Sequence, residues 1–448
     1  MIFAALVALS LTVPDKKVPA GVRHGNHTRE TRRLGGRVGA SKPVFLFATS
    51  TGVGMTEECA CTSPTGSRGE TLTFTRASSA TCTKGNEWSS IDDGDLVLCA
   101  TDQPRVMRGG TGTGSKGLMV ESARTNSVVR SEEINNASWA NIGTAPTLNG
   151  ADAAVAPDGT TTAEDYTFAA TTTGQSSGRL GATVAAAGVF SGSYYVKGVS
   201  GSGSIDVCVW GSVASCATCD YVSTSWTRCV VAGSPGGSAS VFIGNSTANN
   251  GGIDRSSNRV YVWGAQFESG DYPSSYIPTT NATVVREQED ASFTLANTYS
   301  TSTGYSVSAK FTLNGVAAAT TSGPVAIGQD ATNNLRQAIA TSSTIGTCGY
   351  LSTGGNGTSS ATSTPLIRDG DNRKICTWTG ASTTQRQSTY NGVVSAVGTT
   401  SAATSWNWNE VKLQGEYTDA TFGATRRRPD GVVKEVCVHN APTKCQDL

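Results

Sequence analysis

The chain has 448 residues, too many for one ordinary domain, and only 15% of them are charged. Its 34 basic and 34 acidic side chains cancel, which excludes a global field drawing it to nucleic acid or anionic lipid. With 52 glycines, only 14 prolines, abundant Ser, Thr and Ala and no long Leu/Glu/Lys stretches, the composition points to an all-β protein of short strands and tight turns.

Met1 to Val13 is an apolar run too short to span a bilayer. Its length suits the h-region of a secretory signal, although the positive charges follow the run instead of preceding it. A plug packed against a partner protein is the other reading. Lys16, Lys17, Arg23, Arg29, Arg32, Arg33, Arg37 and Lys42, against Asp15 and Glu30, then form a basic arm suited to an acidic partner surface or to solvent. After this anchor and arm (1–42) come an entry segment with short strands (43–125) and two antiparallel β-sandwiches in tandem (126–292 and 300–448). No later segment approaches transmembrane length, and no period of 20 to 50 residues suggests a solenoid or propeller.

In the first sandwich Ile205, Val207 and Val209 fall on one strand face, as do Tyr261 and Trp263. In the second, residues 306–313 alternate strictly, so that Val307, Ala309, Phe311 and Leu313 share a face. Asn391-Gly392 is a type I′ turn signal between strand-like runs, and Val411 and Leu413 point inward after Trp406 and Trp408.

The twelve cysteines fall in local groups, among them Cys208, Cys216, Cys219 and Cys229. That quartet suits two disulfides, a metal tetrad or free thiols, and spacing alone leaves the choice open. Gly112-x-Gly114-x-x-Gly117 matches a dinucleotide fingerprint in letters, but no helical periodicity follows it, so a flexible turn is expected. His24 and His27 lie in the arm and His439 near the end, which leaves a histidine-based triad few places to assemble. The acids at Asp92, Asp93 and Asp95, and at Glu287, Glu289 and Asp290, read as solvated turn residues. Candidate stacking platforms for a glycan are Trp406, Trp408, Trp378 and Trp226, with Trp210 and Tyr221 behind them. For each of these rings core packing is the competing reading.

The entry segment carries Leu72-Thr73-Phe74-Thr75-Arg76-Ala77-Ser78-Ser79-Ala80-Thr81, then Gly117-Leu118-Met119-Val120-Glu121-Ser122-Ala123-Arg124-Thr125-Asn126, then Ser131-Glu132-Glu133 and Ala137-Ser138-Trp139. Further on come Ala156-Pro157-Asp158-Gly159, Tyr194-Tyr195-Val196-Lys197, Trp226-Thr227-Arg228, Trp263-Gly264-Ala265-Gln266-Phe267-Glu268-Ser269-Gly270 and Ser275-Tyr276-Ile277-Pro278-Thr279. In this order the series, covering roughly residues 70–290, resembles bacteriophage tail-fibre and head-spike-fibre structural proteins. The resemblance implies a carbohydrate-binding-module-like jelly roll, followed more loosely by a concanavalin-like or laminin-G-like sandwich. The residues agree physically: Gly264 permits a bulge or close approach, and Pro278 takes the chain out of the sheet because it has no N–H to donate.

The resemblance further implies a non-enzymatic, surface-exposed virion protein. Its partners would be capsid, portal or tail proteins and copies of itself, a trimer by analogy, and it would offer its loops to a host-surface glycan. No catalytic, cofactor or metal-binding residue is expected, and no nucleic-acid partner. A polysaccharide depolymerase and a secreted lectin-like adhesin are the alternatives.

Overall fold

The structure is a computed structural model. It describes residues 72–83, 90–108, 116–172, 175–186, 188–246 and 256–300, the strand Val44–Leu46, and the strands between 305 and 439. These residues belong to one compact unit, Ser41–Leu448. The anchor and basic arm expected over 1–42 lie outside them. Among the described residues there is no helix, and the strand pairings are antiparallel, so the all-β class holds.

The first sandwich pairs a six-stranded sheet with a five-stranded one. The six-stranded sheet runs Thr147–Ala154, Ala163–Phe168, Asn258–Ser269, Phe190–Gly198, Trp226–Gly233 and Ser90–Ile91. The five-stranded sheet runs Ser215–Val222, Ser202–Trp210, Gly237–Ser246, Ser176–Ala186 and Ala140–Gly143. Period-two alternation decides which side chains meet between them. Ile205, Val207, Val209, Val241 and Ile243 from one sheet pack against Tyr194, Val196, Val260, Val262 and Phe267 from the other. Each such side chain contributes roughly 1.5–3 kcal/mol by leaving water.

Beyond residue 300 the strands form two further sheets with chain from far upstream. One is ordered Val393–Val394, Thr384–Tyr390, Asn372–Trp378, Tyr305–Gly315, Asp430–His439, Lys116–Val120 and Arg105–Arg108. The other is ordered Leu72–Thr75, Asp290–Ser300, Asn407–Leu413, Ser322–Gly328, Asn334–Ile339, Ile345–Ser352 and Gly355–Thr362. Strands Ile345–Ser352 and Gly355–Thr362 lie against Thr384–Tyr390 of the first. Tyr390 pairs with Val393, the register of a two-residue hairpin. Of the face expected over 306–313, Ala309 and Phe311 are buried, and the register slip against Asp430–His439 between Lys310 and Phe311 falls on the partner strand, where Lys434 is the extra residue. Thr312, on the opposite face, is buried as well.

The entry segment is divided between these sheets. Leu72–Thr75 extends the second by pairing with Asp290–Ser300, and Arg105–Arg108 and Lys116–Val120 extend the first. Ser90–Ile91 instead joins the six-stranded sheet at Trp226 and Thr227. One stretch of chain thus supplies edge strands to both sandwiches. Gly117, expected in a flexible turn, lies in the strand Lys116–Val120 and opens no helix, so the dinucleotide fingerprint is a match in letters alone. A Cβ at Gly117 would run into the Val433 carbonyl, which is the reason for glycine there.

Gly264 behaves as its sequence setting suggests. It sits at φ +65° where the pairing with Phe190–Gly198 shifts register between Ser193 and Tyr195. A Cβ there would stand 2.9 Å from Tyr195 Cδ2. Gly264→Ala should therefore lower stability by about 1–2 kcal/mol from the left-handed backbone alone, with the Tyr195 contact adding to it. Urea unfolding of the variant beside the parent checks this, and an unchanged midpoint would contradict it.

Candidate functional site

The outer face of the six-stranded sheet is covered. Tyr195, Trp226 and Trp263 point away from the first core and meet Leu96 and Met119 of the entry segment, Tyr276 from the chain after the sheet, and Val432 of the last long strand. Trp226 is fully buried, and its indole N–H donates to Asp93 Oδ1 at 2.8 Å. The stacking-platform reading of Trp226 is therefore corrected: a ring with no open face cannot receive a sugar. Tyr221 is buried too, with its hydroxyl 2.8 Å from Asn258 Oδ1. Trp406 lies outside the described residues. Trp378 and Trp408 lie in described strands, but their side chains do not belong to the described part.

Beside this apolar junction stands a charged one. Arg76 Nη1 is 2.6 Å from Glu289 Oε1, Arg105 Nε is 2.7 Å from the same oxygen, and Arg105 Nη2 is 2.6 Å from Glu121 Oε2. Arg286 also pairs with Glu121. All five side chains are essentially without solvent contact. Most of the remaining donors and acceptors are met locally, Arg286 Nε being buried without a hydrogen-bond partner. Glu289 Oε2 accepts the Glu121 N–H at 2.9 Å, and Glu121 accepts the Ser275 N–H at 2.8 Å and hydroxyl at 2.6 Å. Arg76 donates to the carbonyls of Ser78 and Ala100. Burial by itself would raise the Glu121 carboxyl, but Arg286 and Arg105 outweigh it and hold the group well below the usual carboxylate range.

Glu289 had read as a solvated turn acid, and that is a further correction: two guanidinium groups draw it inside. Arg105 and Arg286 escaped the sequence reading altogether. The signal available was an arginine placed directly beside a short apolar run, Arg105 before Val106-Met107 and Arg286 after Val284-Val285. Other residues of the fibre-like motifs fix the chain on the first-sandwich side of this junction. Asn126 Nδ2 donates to the carbonyls of Ala265 and Ile277, and its Oδ1 accepts the N–H of Val128 and of Phe267. Gln266 donates to Glu268 at 3.0 Å and accepts the Ile277 N–H at 2.8 Å. Burial raises the Glu268 carboxyl, which takes both the N–H and the hydroxyl of Ser274.

The cysteine quartet resolves into pairs. Cys208 bridges to Cys216, directly opposite it in the hairpin, and Cys219 bridges to Cys229 across the two sheets of the first sandwich. The metal-tetrad reading is thereby corrected, because each sulfur already has its covalent partner. Cys82 and Cys99 form a third bridge in the entry segment. The rest of the twelve lie outside the described side chains.

No family model matches the chain. No curated protein matches it either. Among solved structures, domains LG4-5 of the mouse laminin alpha1 chain align at 12% identity with a TM-score of 0.23, over 63% of this chain and 90% of that one. A truncated AlyQ with CBM32 and alginate lyase domains aligns at 10% identity with a TM-score of 0.21, over 67% of this chain and 97% of that one. At these scores neither likeness bears on what the chain binds or does.

Two further acids are perturbed. Burial, then Asp158, pushes the Glu132 carboxyl up to about 7, and Tyr276 donates its hydroxyl to it at 3.1 Å. Burial, then Asp152, pushes Glu164 up to about 7, and its Oε2 is buried without a hydrogen-bond partner. A carboxyl whose folded pKa is raised stabilises while protonated, and that contribution fades as pH rises through the folded value.

Two tests follow from these groups. Glu121→Ala would leave Arg105 and Arg286 buried beside an empty place, a loss of about 3–5 kcal/mol; denaturant unfolding should show it, and a loss below 1 kcal/mol would contradict a buried network. Separately, the unfolding midpoint should fall between pH 5 and pH 8 as Glu132 and Glu164 ionise through about 7, and Glu164→Gln should flatten that fall. Glu121, held ionised, changes only at lower pH. A midpoint that rises across this window would contradict the assignment.

Proposed function

We propose that the chain is a structural protein of a bacteriophage particle, a head or tail spike or fibre. It anchors through its N-terminal segment and displays its β-sandwiches at the virion surface, to stabilise the particle or to touch host glycans. The observation that carries the reading is where the fibre-like motifs lie in the fold. Arg76, Glu121, Asn126, Gln266, Glu268 and Ser275 are all buried; Ser275 bonded to Glu121 ties the first sandwich to the strand Lys116–Val120, and Asn126, Gln266 and Glu268 fix the chain on the sandwich side of that link. A projection under load needs its modules locked together, and a buried, densely bonded polar junction does that. The reading assigns no catalytic centre. It expects symmetric self-association, with a homotrimer as the working state.

Gradient-purified particles should contain the chain in fixed stoichiometry, and electron cryomicroscopy should place it in surface projections. Absence from intact particles would overturn the proposal. Release of reducing sugar from host capsule by the purified chain would replace it with a depolymerase.

A further inference from the structure

Of the tryptophans whose side chains are described, Trp139, Trp226 and Trp263 are buried and Trp210 alone reaches solvent. Its strand turns Ile205, Val207 and Val209 into the core, so by the two-residue period Asp206, Cys208 and Trp210 face outward from the five-stranded sheet. Phe242 stands opposite Cys208 in the next strand, and its ring centroid is 5.2 Å from that of Trp210. We propose that Trp210 is the stacking platform of a binding site for an uncharged saccharide at this end of the sheet. The proposal gives the attachment reading a ligand class, and it rests on that reading only for the biological source of the sugar.

Three features support it. The platform is rigid: Phe242 backs the indole, and the Cys208–Cys216 bridge closes the hairpin whose turn follows it. The neighbouring turns are fixed to each other in advance. Ser212 donates its hydroxyl to the Pro235 carbonyl at 3.0 Å and also to the Gly236 carbonyl, and the Val213 N–H donates to Pro235 O at 3.1 Å. A site already ordered loses less entropy on binding. Val213, in the turn three residues after Trp210, is 58% exposed and adds an apolar side chain to this end.

The chemistry of the surroundings selects the ligand. Segments 181–186, 211–216 and 234–240 meet at this end and contain no charged residue, while Ser212, Ser238, Ser240 and Thr183 supply hydroxyls. The one acid of the strand, Asp206, is buried and accepts from Thr218 Oγ1 at 3.1 Å and from the Ser246 N–H at 3.0 Å. An aromatic face ringed by hydroxyls suits the C–H face and hydroxyls of a neutral pyranose. Among the described residues of these segments an acidic sugar would find no cation to pair with.

The test is isothermal titration of the intact chain with maltohexaose and with the β-1,4-linked N-acetylglucosamine tetramer, with polygalacturonate and neutral phosphatidylcholine vesicles as controls. At least one neutral oligomer should bind. Trp210→Ala should weaken it by about tenfold, the upper end of an aromatic stacking contribution, and Trp210→Phe by less. Val213→Asp, in the exposed turn, should weaken binding with no change in unfolding midpoint, which keeps the test informative if Trp210→Ala folds poorly. Failure of both neutral oligomers, equal binding by Trp210→Phe and Val213→Asp, or binding of polygalacturonate or vesicles instead would overturn the site. Particle association is read separately. A chain missing from particles removes the attachment reading and leaves the titration result standing.

Discussion

The rest of the structure depends on the ion cluster of Arg76, Arg105, Arg286, Glu121 and Glu289. Its members come from distant parts of the chain, yet their side chains meet with essentially no solvent. Taking such charges out of water costs several kcal/mol per ion, and mutual attraction offsets that only when geometry and extra hydrogen bonds are both in place. Here both are supplied by backbone carbonyls, by Ser275 and by the Glu121 N–H. A partial assembly would leave a buried charge uncompensated. The cluster therefore favours all of its segments arriving together.

This constraint accounts for the treatment of the entry segment. A separate domain at 43–125 would have had to bury its own short strands. Instead Leu72–Thr75, Ser90–Ile91, Arg105–Arg108 and Lys116–Val120 each complete a sheet made elsewhere. The exposed backbone groups of those sheet edges are paired in the process, which also removes sites for unwanted strand addition. Covering the outer face of the six-stranded sheet has a functional cost, since Trp226 and Trp263 are no longer available to a ligand. The outer face of the five-stranded sheet keeps Trp210, partly exposed, at its rim, where the proposed saccharide site lies.

Much of this was legible in the residues because strand formation and facing depend on nearest neighbours. Ile205, Val207 and Val209 read as one inward face and are one, and Gly264 read as a bulge residue and is one. The pattern at 306–313 holds at Ala309 and Phe311, while the bulge beside it was not readable, because a bulge is a property of the pair of strands and not of either alone. The cysteine quartet was readable only as alternatives. Choosing between metal and bridges required knowing that Cys216 lies opposite Cys208 and that Cys229 lies across from Cys219.

What the sequence determined by itself is the class of fold and its local grammar: antiparallel strands, their inward faces, and their turns. These follow from side-chain alternation and backbone preference, which act over a few residues. Tertiary structure alone decided that Glu289 is buried, that Trp226 is core and that Trp210 is not. The physical reason is that burial is set by what packs on the far side of a sheet, and in this chain that material comes from segments more than a hundred residues away, such as Glu121 beside Arg286.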